Sequence, residues 1–193
     1  TNWWLSLSFW VVFMVYISVD KFSDYHNNKI TFYSIRNQSL IEIKVGDNAI
    51  SIMDSTLMAK PDAANFFTAS AQVRNRISTH KQLCFSDTLG YSDDFININR
   101  DFLLAGNQSV LFIDKRMASK RTIIPKVHVD VAYVHSNPWI DIETLSQKIQ
   151  ANIWVFDRSN SMRNTQRMIE ECEQLGLNYC DLSVDGAFEI SLH

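Results

Sequence analysis

From residue 129 to the C-terminus, short apolar runs alternate with segments whose apolar residues recur at helical spacing, and this alternation restricts the possible folds more than any other feature. Four runs are predicted to be strands, at 129–135, 153–156, 179–182 and 187–192. A helix is predicted after Asp141, with an apolar face that extends to Ile149, and a second helix is predicted to end at Gly176. Strands separated by helices in this way are typical of a sheet that is covered by helices.

The first half of the chain predicts strands that pair as hairpins. Strands are expected at 29–35, 39–45 and 48–54, and Gly46 opens a turn between the second and the third. A helix is predicted from Lys60 to His80, because Pro61 suits a first helical turn, and a further hairpin is predicted at 102–114. The two halves together predict a mixed α/β fold, for which a four-layer αββα sandwich and a three-layer arrangement both remain open.

Residues 3–19 form a stretch of 17 residues without a charge. As a helix this stretch would be ~25 Å long, near the lower limit for crossing a bilayer, and Trp3, Trp4 and Tyr16 lie toward its ends, where aromatic side chains favour the membrane interface. We therefore expect one transmembrane helix at 1–20 as the end of a larger membrane region, then a linker at 21–28 and a soluble domain at 29–193. A buried core helix is the alternative.

The composition is that of an ordinary globular domain, with 193 residues, of which 46% are hydrophobic and 20% charged. These values exclude extended disorder. The net charge of −3 gives no general attraction to nucleic acid, so a DNA contact has to come from a local patch. Three cysteines are too few for a disulfide framework; Cys172 and Cys180 are either buried thiols or, in an oxidising compartment, a pair.

The segment 115–126 is the one local patch of positive charge. It holds five cationic residues and no acidic residue: Lys115, Arg116, Lys120, Arg121 and Lys126. Such a segment can bind the DNA backbone without sequence preference and with a strong dependence on salt. A solvated loop that binds nothing is the alternative.

Polar residues follow two of the predicted strands. The strand at 129–135 ends in His135, and strand ends that carry a histidine are where metallohydrolases place zinc ligands; an ordinary polar residue at a strand end is the alternative. Ser159, Asn160 and Ser161 precede the last predicted helix, where they either bind an anion or simply cap the helix. The sequence contains no Walker loop, dinucleotide fingerprint or HExxH motif.

Six stretches resemble, in order and spacing, the C-terminal soluble domain of the ComEC family of competence proteins, the DNA-internalisation channels. They are ITFYSIRNQSLIEI, AISIMDS, VLFID, DVAYVHSNP, DRSN and DGAF. The similarity is closest to the divergent versions in Bacteroidetes-type bacteria. It implies a metallo-β-lactamase-like αββα sandwich that follows the last membrane helix, with Asp114 and His135 at positions where active members hold metal.

The chain departs from the active members of that fold at the metal site. Active hydrolases carry an HxHxDH cluster after the third strand, whereas the residues after Asp54 are STLMAKPDAANFFTASAQ, without a histidine before His80. A catalytic zinc needs about three protein ligands, and only Asp114 and His135 fall on ligand positions. We therefore expect a degenerate domain with no catalytic residue, no metal and no cofactor, in which replacing His135 by alanine changes stability little.

The resemblance implies a non-catalytic domain of a DNA-uptake protein in the cytoplasmic membrane, with the soluble part on the outer side. The expected partners are DNA, bound weakly and without sequence preference, the membrane, the rest of the channel polypeptide and other competence proteins. Two alternatives belong to other functional classes. One is a metal-dependent nuclease or phosphodiesterase with rearranged ligands, and the other is a structural module that stabilises the channel without touching DNA.

Overall fold

The computed structural model describes residues 3–75, 77–86, 90–119 and 126–192. Within these ranges the helices are α1 Trp3–His26, α2 Ser55–Met58, α3 Pro61–Arg74, α4 Lys115–Ser119, α5 Ile142–Ser146 and α6 Met162–Leu175. The strands are β1 Lys29–Phe32, β2 Leu40–Val45, β3 Asn48–Met53, β4 Thr79–Cys84, β5 Tyr91–Ser92, β6 Ile96–Ile98, β7 Phe102–Ala105, β8 Gln108–Ile113, β9 Val127–Val134, β10 Ile149–Phe156, β11 Tyr179–Asp181 and β12 Phe188–Ser191.

The strands form two sheets. The first has the order β12-β1-β2-β3-β4 and is antiparallel except for the parallel pair β3 and β4. The second has the order β11-β10-β9-β8-β7-β6-β5, and its strands β8 to β11 are parallel. Because parallel strands end at the same edge of a sheet, the residues that follow β8, β9, β10 and β11 lie side by side.

The two sheets pack face to face, and helices cover their outer faces. The cluster between the sheets contains Phe32 and Ile52 of the first sheet with Phe112 and Tyr133 of the second, all at most 2% exposed. A second cluster packs α5 and α6 on the outer face of the second sheet, and a third packs α2 and α3 against the first sheet. Burial of these apolar side chains supplies the main favourable free energy of folding.

The predicted mixed α/β fold is confirmed, and so are the hairpin β2–β3, the hairpin β7–β8 and helix α6. The prediction of a helix from 60 to 80 is wrong at its end, because α3 stops at Arg74 and Thr79 begins β4. Ile149 begins β10 and does not belong to a helix. Both errors have the same cause: short segments of mixed polarity fit a helix or a strand, and pairing with a distant strand decides between the two.

Helix α1 begins at Trp3 and continues through the predicted linker to His26. The expected membrane span is not confirmed, since no helix in the described part of the chain has both the length and the apolar character that crossing a bilayer requires. The three cysteines, including Cys172 and Cys180, are buried free thiols. They are therefore not a disulfide pair in this structure.

Candidate functional site

Four polar residues stand at the carboxyl edge of the parallel strands of the second sheet. Asp114 follows β8, His135 follows β9, Asp157 follows β10 and Asp181 is the last residue of β11. In sheets with parallel strands this edge is where ligand sites form. The prediction from sequence placed two of these residues, Asp114 and His135, at a remnant metal site.

The carboxylate of Asp114 is used by the helix that follows it. Its Oδ1 accepts hydrogen bonds from the backbone amides of Arg116, at 2.8 Å, and Met117, at 3.1 Å. Its Oδ2 pairs with the Arg116 Nε at 2.5 Å. Asp114 therefore stabilises the start of α4 in the way an N-cap residue does.

The imidazole of His135 is part of a compact aromatic cluster and is only 3% exposed. Its ring stacks on Phe85, with centroids 4.6 Å apart, and lies 5.5 Å from the ring of Tyr133. Its Nδ1 is 3.0 Å from the Ser136 hydroxyl. Burial lowers the pKa of His135 to about 4, against a smaller opposing effect of the Asp114 charge, so the ring is neutral at pH 7.

Asp157 is the centre of a polar group that the sequence analysis did not identify. It is 1% exposed, and its Oδ2 accepts a 2.5 Å hydrogen bond from the Ser39 hydroxyl and a 3.2 Å bond from the Ser159 amide. The Ser39 amide in turn donates to Asp54 Oδ2 at 2.7 Å. Ser39 thus connects the end of β3 in the first sheet with the end of β10 in the second.

The electrostatics of Asp157 follow from its burial. Loss of hydration raises the pKa of Asp157 to about 6, even though hydrogen bonds from Ser159 and Ser39 act in the opposite direction. Its Oδ1 is enclosed and outside hydrogen-bonding geometry with the described residues, and the Tyr133 hydroxyl is the donor beside this carboxylate. The pKa of the neighbouring Tyr133 hydroxyl is raised well above its usual value, mainly by burial and then by the Asp157 charge.

The loop between β10 and α6 also forms hydrogen bonds with the loop between β1 and β2 and with the loop between β9 and α5, both of which contain residues with positive φ angles. Asn37, Ser136 and Asn137 have positive φ angles of 59°, 61° and 55°, which costs a non-glycine residue on the order of 1 kcal/mol each. The Ser136 amide donates to Ser159 Oγ at 2.8 Å, and the Asn37 amide donates to the Arg158 carbonyl at 3.2 Å. These bonds define the shape of the edge.

Helix α6 begins in the same place. Ser161 is its N-cap and accepts a hydrogen bond from the Asn164 amide, so the predicted capping by this Ser-Asn-Ser segment is confirmed. The start of α6, the loop before it, the loop between β1 and β2 and the end of β11 enclose a cleft of about 480 Å³. Its lining includes Arg36, Asp157, Arg158, Ser161, Thr165 and Asp181.

The three predicted DNA-binding cations that the structure describes, Lys115, Arg116 and Lys126, do not form one patch. Lys115 is exposed beside the carboxyl edge, and Arg116 is bound to Asp114. Lys126 is also exposed but precedes β9, and because Ile113 pairs with Val134 it lies near the opposite end of that strand, roughly 26 Å away along it. Lys120 and Arg121 lie outside the described residues, and the DNA-binding role of the segment stays a prediction.

The residues that sequence reasoning missed had a readable signal. Asp54 and Asp157 each come directly after an apolar strand, as Asp114 does. What the sequence does not reveal is that Ser39 joins them across the two sheets. Within the described ranges, no group of three or more histidine, cysteine, aspartate or glutamate residues has an arrangement that could hold a metal ion.

Comparison with known proteins identifies the family to which the chain belongs. No curated protein matches the chain, and no solved structure matches it. The family model of the ComEC C-terminal domain matches residues 30–192, which include both sheets and the whole polar edge. The chain therefore belongs to the ComEC family of membrane-associated competence proteins, through the C-terminal domain of that family.

Proposed function

We propose that residues 29–193 form a non-catalytic domain of a ComEC-type DNA-uptake protein, with a degenerate metallo-β-lactamase-like αββα sandwich. It works on the outer side of the cytoplasmic membrane, beside the rest of the channel polypeptide and other competence proteins. There it contacts the incoming DNA weakly and without sequence preference. The family match carries the DNA-uptake part of this proposal.

One observation carries the non-catalytic part: the two remnant ligand positions are used for packing and capping. The carboxylate of Asp114 binds two backbone amides and the Arg116 side chain. The imidazole of His135 packs against the rings of Phe85 and Tyr133. A catalytic zinc needs ligand lone pairs that point at one centre and an open position for water, and this arrangement of Asp114 and His135 favours a structural role.

The DNA contact is proposed for the cationic segment 115–126. Lys115 and Lys126 are exposed, and Lys120 and Arg121 complete the set that we propose to meet phosphates. Arg116 is left out because its guanidinium contacts Asp114. Binding of this kind releases condensed counterions, so affinity falls as salt rises.

The test replaces Lys115, Lys120, Arg121 and Lys126 by glutamine in the 193-residue chain. We expect weaker binding of a fluorescent oligonucleotide and a smaller salt dependence, with the slope reduced by roughly 0.9 for each duplex phosphate that is no longer bound. Fluorescence anisotropy over a salt series measures both. The Lys60→Gln/Lys81→Gln/Arg100→Gln/Arg163→Gln variant, which removes four exposed charges elsewhere, controls for the same change in overall charge. Equal affinities and slopes for the wild type and the quadruple variant would instead support the structural module.

A further inference from the structure

We infer that Trp139 stacks against an unpaired base of a DNA strand, with phosphates of the same strand on Arg158 and Arg36. The contact proposed for the cationic segment 115–126 uses phosphates, which single-stranded and double-stranded DNA both offer. The present inference rests on that DNA contact and deepens it. It predicts that the domain prefers a single strand, because only an unpaired base can place its face on the indole.

Trp139 is an exposed aromatic residue at the carboxyl edge of the second sheet. It lies in the loop between β9 and α5, and it is 74% exposed, although most large apolar residues of the two sheets are buried. A tryptophan stabilises a complex most when its large flat faces are covered. In the folded domain this indole therefore has most of its surface available for a ligand.

The loop that carries Trp139 is tied to α6 on both sides of the indole. Asn164 Nδ2 donates to the Pro138 carbonyl at 2.7 Å, and Arg167 Nη2 donates to the Ile140 carbonyl at 2.6 Å. Because the residues before and after Trp139 are both held, the backbone does not have to be ordered when a ligand binds. Such preorganisation lowers the entropic cost of binding.

One face of the indole is backed by a guanidinium group. The Arg167 Cζ lies 4.6 Å from the centroid of the Trp139 ring, which is a cation–π contact. The Arg167 guanidinium also binds Glu171 and lies 3.1 Å from Asn164 Oδ1, so it is fixed in this position. A base that stacks on the opposite face of the indole would complete a stack of guanidinium, indole and base.

Cations for the adjoining phosphates lie along the same edge. Arg158 follows β10, the neighbour of β9 at about 4.8 Å, and the Asn37 amide bonds to the Arg158 carbonyl, which brings Arg36 beside it. Arg36 and Arg158 are exposed, and neither forms an ion pair with a described carboxylate. A planar guanidinium can bind two oxygens of a phosphate at once.

The combination of an indole and neighbouring guanidinium groups selects a strand with open bases. Every base has a face that stacks on an aromatic ring, and cations beside the ring hold the backbone; proteins bind single strands without sequence preference in this way. In a duplex each base face is covered by the next base pair, so only the phosphate contacts remain. A protein partner would instead anchor a side chain in a pocket, and Trp139 is not part of the lining of the cleft at the start of α6.

Fluorescence anisotropy of the 193-residue chain with a labelled oligothymidylate, and with a duplex of the same length, tests the inference. Trp139→Ala should weaken binding of the single strand by about fivefold or more and binding of the duplex by less than about twofold. Trp139→Phe keeps an aromatic ring and should retain most of the affinity. Phe66→Ala, which removes a 79% exposed aromatic ring from α3, is the matched control, and thermal melts verify the folding of all three variants.

An oligonucleotide without bases separates stacking from phosphate binding. The wild type should bind such an abasic strand more weakly than oligothymidylate, and Trp139→Ala should bind the abasic strand as the wild type does. Oligothymidylate should also quench indole emission in the wild type, and this quenching should be lost in Trp139→Phe. Equal binding of both strands by the wild type, or equal losses of single strand and duplex in Trp139→Ala, would overturn the inference. No loss of either in Trp139→Ala would overturn it as well and leave the indole to a protein partner.

The phosphate contacts and the proposed function are tested separately from the stacking. Arg36→Gln/Arg158→Gln should weaken both forms of DNA and reduce the salt slope by roughly 0.7 for each single-strand phosphate that is no longer bound; an unchanged slope would remove these two arginines from the site. The glutamine variant of the cationic segment should keep the preference for a single strand, because it keeps Trp139. If that variant binds as the wild type does, the proposed contact of the segment fails while the stacking stands. If only Trp139→Ala is without effect, the stacking fails while the segment stands.

Discussion

Ser39 connects the two sheets through two different groups: its backbone amide binds Asp54 and its hydroxyl binds Asp157. Both carboxylates have a raised pKa whose largest cause is burial. A small polar residue is suited to this position because a larger side chain would separate the strand ends that it joins. The stability of the polar edge and its dependence on pH are therefore set by a few individual side chains.

The first residue-scale prediction concerns His135. His135→Ala should lower the free energy of unfolding by about 2 kcal/mol or more, because it leaves a cavity beside Phe85 and Tyr133. The expectation from sequence, that this change has little effect, did not take the burial of the ring into account. His135→Phe keeps a ring in the stack and should cost less. Urea denaturation of both variants checks this, and a decrease below about 0.5 kcal/mol for alanine would contradict it.

The second residue-scale prediction concerns pH. Burial raises the pKa of Asp157 to about 6 in the folded chain, from a usual value of 3.8. The folded state therefore binds the proton of the Asp157 carboxyl more tightly than the unfolded state does. The stability that protonated Asp157 contributes is full below about pH 4 and is lost as pH rises through about 6. Asp157→Asn should remove this dependence, which is on the order of 2 kcal/mol.

Denaturation of the wild type and of Asp157→Asn between about pH 4 and pH 7 measures the difference. Burial lowers the pKa of His135 from 6.5 to about 4. The stability that neutral His135 contributes is therefore lost as pH falls, which is the opposite direction to the effect of Asp157. Because both proteins contain His135, its effect cancels in the comparison. Asp62→Asn, at an exposed position of α3, is the control. A constant difference across the pH range would contradict the prediction.

At the scale of elements, α6 shows how local signals define a helix that then carries part of a site. Ser161 caps its start, and Gly176 ends it in the left-handed conformation, with φ at 67°. Its buried side chains, including Met168 and Cys172, pack on the second sheet. The first turn of this anchored helix forms one wall of the cleft.

The element-scale prediction is made for Gly176. Gly176→Ala should destabilise the chain by about 1 kcal/mol, because an alanine is strained in the left-handed region. A Cβ at this position would meet no atom within 4 Å, so the cost comes from the backbone alone. Gly176→Asn should cost less, since asparagine tolerates that conformation. Thermal denaturation of the two variants compares them, and an equal destabilisation of both would point to another cause.

At the scale of the whole molecule, each sheet has a buried inner face and an outer face covered by helices. The outer face of the first sheet carries polar residues beside its apolar cluster: Glu42 and Ser51 are at most 2% exposed, and Ser51 Oγ is 2.8 Å from His80 Nε2. Burial is the largest cause of the raised pKa of Glu42 and the lowered pKa of His80. These polar groups satisfy one another beneath α3, where Gln72 contacts both Glu42 and His80.

The whole-molecule prediction concerns metal content. The purified 193-residue chain, dialysed against zinc or manganese and then against buffer, should retain far less than one equivalent, because about three convergent ligands are needed for tight binding. Inductively coupled plasma mass spectrometry measures the content. One equivalent of metal in the wild type that Asp114→Asn or His135→Phe removes would favour the metal-dependent nuclease alternative.

Features that depend on neighbouring residues can be predicted from the order of the amino acids alone. The hairpin β2–β3 follows from alternating polarity and a turn at Gly46, and α6 follows from a serine cap, a helical apolar period and Gly176. The α/β class follows from the order of such segments. In each case the residues that interact are close in the chain, so the local sequence pattern is sufficient to predict the element.

Features that depend on contacts between distant residues appear only in the folded chain. Ser39 and Asp157 are 118 positions apart in the chain, and no local pattern links them. Thr79 begins a strand only because β3 offers a parallel partner, and Ile149 begins a strand because it pairs with Val127. Lys115 and Lys126 are near in sequence but lie toward opposite ends of β9, because β8 and β9 are parallel and Lys115 follows β8 whereas Lys126 precedes β9. Free energy gained by pairing and burial at long range outweighs local preference at these positions, and that gain is visible only once the chain is folded.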